Sequence, residues 1–218
     1  MYQTSIHTFT IGGIQVSIEK VTNIDELFDC LLAKGDHHAD VIDERIPYWA
    51  ELWPSALALS DYITTLDLNW NGLEVHEIGA GLGLPSIVTG KLGGRVTISD
   101  YLPEAIAFAK SNWNRNIATP PNFKILDWRN PYNIAPADVL LAADVAYEQR
   151  MFKYLPNAFR NLCKKGGLIL LSEPNRAFAQ SFLTNISSEG LQLQRRIQIS
   201  QTLFGQEYLI NILELRNL

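Results

Sequence analysis

The chain is poor in cysteine and carries no excess of basic residues. Its 218 residues include two cysteines, Cys30 and Cys163, and no CxxC pair. This usage argues against a disulfide framework or a zinc site and fits a reducing compartment, so we expect a cytoplasmic protein without a bound metal. The formal net charge is −5. An acidic balance argues against a protein that holds nucleic acid by neutralising its phosphates.

The sequence also lacks long apolar runs. Its first residues, MYQTSIHTFT, have neither the basic region nor the apolar region of a signal peptide. We predict no membrane-spanning helix, because no run reaches the roughly 18 apolar residues that a span requires. Hydrophobic residues nevertheless make up 47% of the chain, which is enough for one domain with a full core.

Residues 1–44 are predicted to form a small extension ahead of a main domain at residues 45–218. Apolar residues alternate on both sides of Gly12-Gly13, which is typical of a β-hairpin with a Gly-Gly turn. Residues 23–34 begin with Asn and acidic residues and then carry apolar residues at helical spacing, so they predict a helix. A loop is expected at residues 35–53.

From residue 73 onward, short apolar runs alternate with helical patterns. The predicted strands are 73–78, 95–99, 123–126, 138–142, 167–173, 191–199 and 207–215, and the predicted helices are 54–66, 84–92, 103–116, 148–163 and 176–187. This order predicts a Rossmann-like, doubly wound α/β fold with a mostly parallel sheet of seven strands. No helix separates the last two strands, so we expect a hairpin that gives the sheet an antiparallel C-terminal edge.

Three alternate glycines in the segment EIGAGLGL, Gly79, Gly81 and Gly83, follow the first of these strands. A glycine inside a regular element costs about 0.5–1 kcal/mol relative to alanine, so three of them need a local reason. At a strand-to-helix turn, backbone N–H groups and the helix N-terminus can receive a ligand. Glu77 precedes the turn and can attract a cationic ligand. Asp100 ends the next strand, where an acid can accept both hydroxyls of a ribose.

These features resemble the class I, seven-β-strand, S-adenosylmethionine-dependent methyltransferases over about residues 45–215. More narrowly, the chain is similar to the protein-lysine methyltransferases of methyltransferase family 16. The shared motifs are ELWPSALALSDYI before the first strand, EIGAGLGL at the turn, DW after the third strand, D-x-x-Y after the fourth and PNR after the fifth. Residues 1–44 match no pattern of that family, and this segment often caps the substrate cleft in it.

The resemblance implies S-adenosylmethionine as the cofactor and a lysine of a protein, or a small amine, as the methyl acceptor. It implies cofactor contacts for Trp53, Glu77, Gly79, Gly81, Gly83, Asp100, Asp127, Trp128 and Ala143. It implies catalytic roles for Asp144 and Tyr147: Asp144 would orient the amine, and Tyr147 would line its channel. No metal and no covalent enzyme intermediate are expected.

Several of these residues have a second interpretation. Asp127 and Trp128 are expected at the adenine of the cofactor, but a buried tryptophan is also common in a core. Trp53 would cover the cofactor or pack the N-terminal segment on the sheet, and Asp144 also fits the cap of a following helix. The run Asn130-Pro131-Tyr132 follows the third strand, whereas nucleic-acid amino-methyltransferases carry NPPY after the fourth. We therefore predict that it is a turn fixed by proline.

Other functions remain compatible with the sequence pattern. A small-molecule N-methyltransferase would use the same fold, since one scaffold hosts many substrates. An NAD-dependent dehydrogenase is a different class, and the GxGxG spacing and the lack of a recognisable Tyr-x-x-x-Lys pair argue against it. A catalytically silent adaptor is a third class, in which the acidic residues at the strand ends would have no use.

Overall fold

The computed structural model describes residues 2–130 and 132–218, so Pro131, the centre of the predicted proline turn, lies outside the described residues. The N-terminal segment contains strands β1 (Thr4–Ile11) and β2 (Ile14–Val21) and helices α1 (Ile24–Leu32) and α2 (Ala39–Ile42). The two strands pair antiparallel around Gly12-Gly13, which confirms the predicted hairpin. The predicted loop at 35–53 instead contains α2 and a 3₁₀ helix at Pro47–Ala50.

The rest of the chain alternates strands and helices as predicted. The strands are β3 (Glu74–Ile78), β4 (Arg95–Asp100), β5 (Asn122–Ile125), β6 (Ala137–Ala143), β7 (Cys163–Glu173), β8 (Leu191–Leu203) and β9 (Gln206–Asn217). The helices are α3 (Pro54–Thr65), α4 (Leu84–Lys91), α5 (Pro103–Asn116), α6 (Leu155–Leu162) and α7 (Gln180–Asn185). Proline stands in the first turn of α3, α4, α5 and α6, where its missing N–H costs nothing.

Strands β3 to β9 form a seven-stranded sheet in the order β5-β4-β3-β6-β7-β9-β8. Pairings among β5, β4, β3, β6 and β7 are parallel, whereas β9 is antiparallel to both β7 and β8. The predicted Rossmann-like fold is therefore confirmed. The C-terminal hairpin supplies the antiparallel part of the sheet: β9 lies next to β7, and β8 forms the edge.

Two of the predicted helices also differ from the structure. The helix predicted at 148–163 is a 3₁₀ turn at Gln149–Met151 followed by α6, and β7 starts directly after it at Cys163. The helix predicted at 176–187 is divided into α7 and 3₁₀ turns at both of its ends. Within α6 the apolar residues still follow helical spacing, because this short helix buries one face against the sheet.

Helices cover both faces of the sheet, and alternate residues of β6 are buried on opposite faces. Val139 and Leu141 belong to the core under α3, α4 and α5, whereas Leu140 and Ala142 belong to the core under α6 and α7. This is the burial pattern of a parallel strand in the centre of a doubly wound sheet. In the described part of the chain, no helix has both the length and the apolarity that crossing a membrane requires.

The N-terminal hairpin packs against α5 and contributes to the same core. The side chain of Asn112 accepts the backbone N–H of Glu19 at 2.7 Å, and that of Asn116 accepts the backbone N–H of Ser17 at 2.9 Å. Val16 and Ile18 are buried in the core that also contains α3, α4 and α5. The hairpin is thus fixed to the outside of the helix that follows β4.

Candidate active site

A cavity of about 320 Å³ lies at the carboxyl ends of β3, β4 and β6. In open parallel sheets this edge, where the connections diverge to the two faces, is the usual place of a ligand. Of the residues predicted for the site, the cavity is lined by Trp53, Gly79, Gly81, Gly83, Asp100, Trp128, Ala143, Asp144 and Tyr147. Glu77 and Asp127 are not among the lining residues.

The glycine turn adopts a backbone that side chains disfavour. Gly79, Gly81 and Gly83 have φ angles of 59°, 51° and 78°, all in the left-handed region. A Cβ on Gly79 would lie 3.0 Å from Cγ1 of Val145. A Cβ on Gly81 would have more room, 3.6 Å from the carbonyl oxygen of Trp49, so its backbone conformation is the main constraint from the protein itself.

The carboxylate of Asp100 is fixed by the backbone around the turn. Its Oδ2 accepts the N–H of Gly81 at 3.0 Å, and its Oδ1 accepts the N–H of Leu102 at 3.1 Å. Burial raises the pKa of Asp100, and these backbone donors oppose that shift. Each carboxylate oxygen has two lone pairs. Asp100 therefore keeps acceptor positions on the cavity wall, where two hydroxyls of a ribose can donate.

Glu77 lies beneath the turn rather than on the cavity wall. Its Oε2 accepts the backbone N–H of Ser86 at 2.9 Å, in the first turn of α4, where N–H groups have no partner within the helix. Its Oε1 has no hydrogen-bond partner among the described residues. Desolvation raises the pKa of Glu77 to about 8. The observed contact of Glu77 is thus with the N-terminus of α4.

Asp127 also has a structural partner. Its oxygens accept Nε of Arg129 at 2.8 Å and Nδ2 of Asn130 at 2.9 Å, and Arg129 also pairs with Asp43. The Arg129 guanidinium holds the pKa of Asp43 below its usual range. This ion-pair group ties the loop after β5 to the segment that follows α2. Trp128, next in the chain, does line the cavity, and its buried Nε1 has no partner in the described residues.

Three aromatic rings lie together on the cavity wall, with Tyr48 in contact with both Trp53 and Tyr147, and we call them the aromatic collar. The ring of Tyr48 lies edge-on to Trp53 at 5.8 Å and to Tyr147 at 5.5 Å between centroids. Nε1 of Trp53 donates to the carbonyl oxygen of Tyr48 at 2.7 Å. Burial raises the pKa of Tyr147, so its hydroxyl keeps its proton at neutral pH.

Asp144 follows β6 directly and is buried, with a positive φ of 56°. Ser55, in the first turn of α3, donates its hydroxyl to Oδ2 of Asp144 at 3.3 Å. The guanidinium of Arg176 donates to Oδ1. Burial raises the pKa of Asp144, and the ion pair with Arg176 opposes that shift. The next helical turn starts only at Gln149, so Asp144 does not cap it.

Arg176 and Ser55 are contacts that reasoning on the sequence did not assign. Arg176 belongs to the PNR segment, and its position just after a buried strand was the available signal. Ser55 is a small polar residue in a mostly apolar helix, which offers no distinctive pattern. Arg176 could not be connected to Asp144 without the sheet order that places β7 beside β6, and Ser55 could not be connected to it without the packing of α3 on these strands.

The cavity suits a cationic ligand that contains a ribose. Among the described residues that line it, the charged side chains are Glu51, Asp100, Asp144 and Arg176. S-adenosylmethionine carries a ribose diol, a sulfonium and an ammonium group, and the residues present fit it. Over residues 2–130 and 132–218, no group of three His, Cys, Asp or Glu is placed to hold a metal ion.

Comparison with known proteins identifies the family. The model of a family described as lysine methyltransferase matches residues 47–189. The chain belongs to this lysine methyltransferase family. It is 31% identical over 156 residues to mouse EEF1A lysine methyltransferase 3, covering 69% of this chain and 67% of that protein. It is 37% identical over 146 residues to mouse protein-lysine methyltransferase METTL21E, covering 62% and 59% of the two chains.

Solved structures show the same fold. The N-methyltransferase NodS from Bradyrhizobium japonicum in complex with S-adenosyl-L-homocysteine has a TM-score of 0.59 and 17% identity, covering 90% of this chain and 99% of that one. The lysine methyltransferase described here is thus an S-adenosylmethionine-dependent enzyme, and the dehydrogenase and adaptor alternatives fall away. The cofactor contacts and catalytic roles of individual residues stay predictions.

Proposed function

We propose that this lysine methyltransferase acts on a lysine of a protein, whose side chain reaches the cavity past the aromatic collar. The observation that carries the proposal is the shared cavity wall of Asp144, Tyr147, the glycine turn and Asp100. A carboxylate and aromatic rings beside a cofactor site form a suitable acceptor channel for an alkyl ammonium. Cation–π contacts with such rings are favourable.

The proposed division of roles follows from the chemistry of methyl transfer. When bound, S-adenosylmethionine would supply a methyl group on a sulfonium, so that a neutral amine can form a bond to the methyl carbon while the bond to sulfur breaks and S-adenosylhomocysteine leaves, without a covalent enzyme intermediate. The contribution of the protein is then mainly position and exclusion of water. Asp100 would accept the ribose hydroxyls, the glycine turn would offer backbone N–H groups, and Trp128 would cover the adenine. Asp127 would act at the adenine only after giving up part of its contact with Arg129.

The acceptor amine must lose its proton before it can react. An unperturbed lysine has a pKa of about 10.4, and a half-buried aromatic channel disfavours its charged form. Asp144 would accept an N–H of the amine and direct its lone pair, while Tyr147 would line the channel. The apolar surroundings favour the neutral amine, whereas the carboxylate favours the charged ammonium, so the two act in opposite directions on its protonation.

The identity of the substrate protein is the finer part of the proposal. The name of one relative gives EEF1A as its substrate, so recombinant EEF1A is the first protein to test. A small amine on the same site is the alternative. We also propose that the enzyme works in the reducing cytosol without metal or nucleic acid, since Cys30 and Cys163 are free thiols and the net charge is −5.

Tritium labelling tests the proposal. The enzyme with tritiated S-adenosylmethionine should label EEF1A or a discrete protein band in a lysate, and acid hydrolysis of that band should yield methylated lysine. The variant Asp144→Asn should label the band more slowly than wild type. Its matched control is Asp138→Asn, since Asp138 pairs with Lys164 at the opposite end of the sheet. Label found only in small molecules would support the alternative substrate class, and label in arginine or histidine would contradict the lysine assignment.

A further inference from the structure

The ion pair between Arg176 and Asp144 lies on the wall of the cavity, at the position proposed for the acceptor amine. The Asp144 side chain is 8% exposed and that of Arg176 is 23% exposed, so the pair is shielded from solvent. Of the described charged residues that line the cavity, Arg176 is the cation. A cationic substrate channel has no evident need of an arginine, so its presence requires a reason.

The fold fixes Arg176 in place through buried polar groups. Oε2 of Glu173, the last residue of β7, accepts the backbone N–H of Arg176 at 3.0 Å. Nδ2 of Asn211 on β9 donates to Oε1 of Glu173 and, at 3.1 Å, to Oδ1 of Asn175. Glu173 and Asn211 are fully buried. Burying such groups is costly unless they are hydrogen-bonded, and here their bonds hold the loop that carries Arg176.

We propose that Arg176 is a positioning residue that cancels the charge of Asp144 and thereby lets the bound lysine amine lose its proton. This inference rests on the proposed function, because it assumes that a lysine amine enters beside Asp144. The guanidinium of Arg176 acts through Asp144, and we do not assign it a contact with the methyl group of the cofactor.

The physical reason is a conflict in the role of Asp144. An unpaired buried carboxylate stabilises an ammonium beside it and raises its pKa, whereas methyl transfer needs the neutral amine. A guanidinium on Oδ1 removes that excess negative charge. Because each oxygen has two lone pairs, Asp144 can still accept an N–H from the neutral amine and orient it. The ammonium N–H bond breaks before transfer, its electron pair stays on nitrogen, and the proton leaves to water.

Other ionisable groups face the same cavity and have to be considered. They are Tyr48, Glu51, Asp100, Tyr101 and Tyr147 on its walls, with Glu173 behind Arg176. Asp100 is bonded to backbone N–H groups, and Glu51 forms an ion pair with Lys20 at 3.6 Å. The direct partners of Asp144 are Ser55 and Arg176. Variants of Arg176 therefore change the charge that acts on Asp144 most directly.

Single-turnover kinetics test the inference without a purified substrate. Saturating enzyme and tritiated cofactor are mixed with trace protein acceptor in the lysate, so the rate reports the bound complex over a range of pH. Because the charge of Asp144 is no longer cancelled, Arg176→Gln should raise the apparent pKa of the rate by about one unit or more, and one pKa unit is a tenfold change in the protonation equilibrium of the amine. The variant should then be about tenfold slower near neutral pH and approach wild type at alkaline pH. Arg176→Lys, which keeps the charge, should restore most of the profile.

A matched control and a substrate-free measurement separate the possible outcomes. Arg95→Gln breaks an exposed ion pair with Glu74 at the first residue of β4 and should leave the profile unchanged. Carbon-13 NMR should show a higher pKa for Asp144 in Arg176→Gln than in wild type. An equal loss of rate at every pH, or an unchanged Asp144 titration, would overturn the inference. Wild-type label that never appears in lysine would instead overturn the proposed function, while the NMR titration would still decide whether Arg176 keeps Asp144 ionised.

Discussion

Oδ2 of Asp100 accepts the backbone N–H of Gly81 at 3.0 Å, and this bond joins the two parts of the predicted cofactor site. The acid at the end of β4 and the glycine turn after β3 were expected to act on the same ligand. The bond shows that they also support each other directly. A change at either residue therefore alters both the contact surface and the shape of the turn.

The first prediction concerns Asp100. Asp100→Ala should weaken S-adenosylhomocysteine binding by about 1.5–3 kcal/mol, the range for hydrogen bonds to a charged group. Asp100→Asn keeps an acceptor for the N–H of Gly81, so it should lose less than the alanine variant. Isothermal titration calorimetry measures both affinities. Equal affinity in wild type and Asp100→Ala would remove Asp100 from the binding site.

The second prediction concerns Gly81. Its φ of 51° and its place on the cavity wall mean that Gly81→Val should strain the turn and abolish cofactor binding. Circular dichroism should show that the fold remains. Gly13→Val is the matched control, because Gly13 also has a positive φ, of 84°, and a Cβ there meets nothing within 4 Å. That variant should share the backbone strain but bind normally, and normal binding by Gly81→Val would contradict this explanation of the glycine turn.

Much of the fold could be predicted because its signals are local. Alternation of apolar runs and helical patterns gave the strand and helix order, and Gly12-Gly13 gave the hairpin. The residues directly after β3, β4 and β6 could be grouped because parallel strands end at one edge of the sheet. This is why Asp100 and Asp144, which are 44 positions apart by their numbers, were expected at one site and both line the cavity.

The parts that were missed depend on contacts between distant segments. The order β7-β9-β8, in which the last strand of the chain lies next to β7, has no local pattern in the sequence. The partners of Glu77 and Asp127 are of this kind: in the structure Glu77 accepts the backbone N–H of Ser86 and Asp127 accepts Nε of Arg129, while their predicted contacts with the cofactor stay predictions. A motif gives the position of a carboxylate in the chain, whereas its partners depend on which N–H groups the tertiary structure brings within reach.

The third prediction concerns the pH dependence of stability. The folded-state pKa of Glu77, about 8, lies above its usual value of 4.5, so between these two pH values the folded protein binds a proton that the unfolded chain releases. Its favourable contribution is therefore complete at a pH below about 4.5 and is lost as the pH rises through about 8. Glu77→Gln removes this dependence. The melting temperature of ligand-free wild type should fall relative to Glu77→Gln between these two pH values.

The comparison with the variant is needed because His76 acts in the opposite direction. Burial lowers the pKa of His76 from 6.5 to about 4, so its contribution to stability is lost as the pH falls from about 6.5 to about 4. Subtracting the Glu77→Gln curve from the wild-type curve removes that shared term. A difference curve that is flat from pH 4.5 to 8 would show that Glu77 titrates as it does in the unfolded chain.

The last prediction concerns Asp144 and Tyr147. Asp144→Asn keeps the size of the side chain and removes its charge, so it should affect the reaction more than cofactor binding. Cofactor affinity should change by less than about threefold, which is under roughly 0.7 kcal/mol. Methyl transfer should fall by about 100-fold or more, equivalent to roughly 2.7 kcal/mol of transition-state stabilisation. Tyr147→Phe should cause a smaller loss, because its ring keeps the edge-on contact with Tyr48.

The design separates the role of Asp144 in catalysis from its role in the fold. Because Asp144→Asn leaves the half-buried guanidinium of Arg176 without its counter-charge, the variant should be less stable, and its melting temperature must be measured beside its rate. Asp138→Asn loses a more exposed ion pair, with Lys164, at the other end of the sheet and should keep full activity. If folded Asp144→Asn labels the substrate band at the wild-type rate, the role of Asp144 is only structural, as a partner of Ser55 and Arg176. If the rate of methyl transfer falls 100-fold and the cofactor affinity is unchanged, Asp144 acts on the acceptor amine and not on the cofactor.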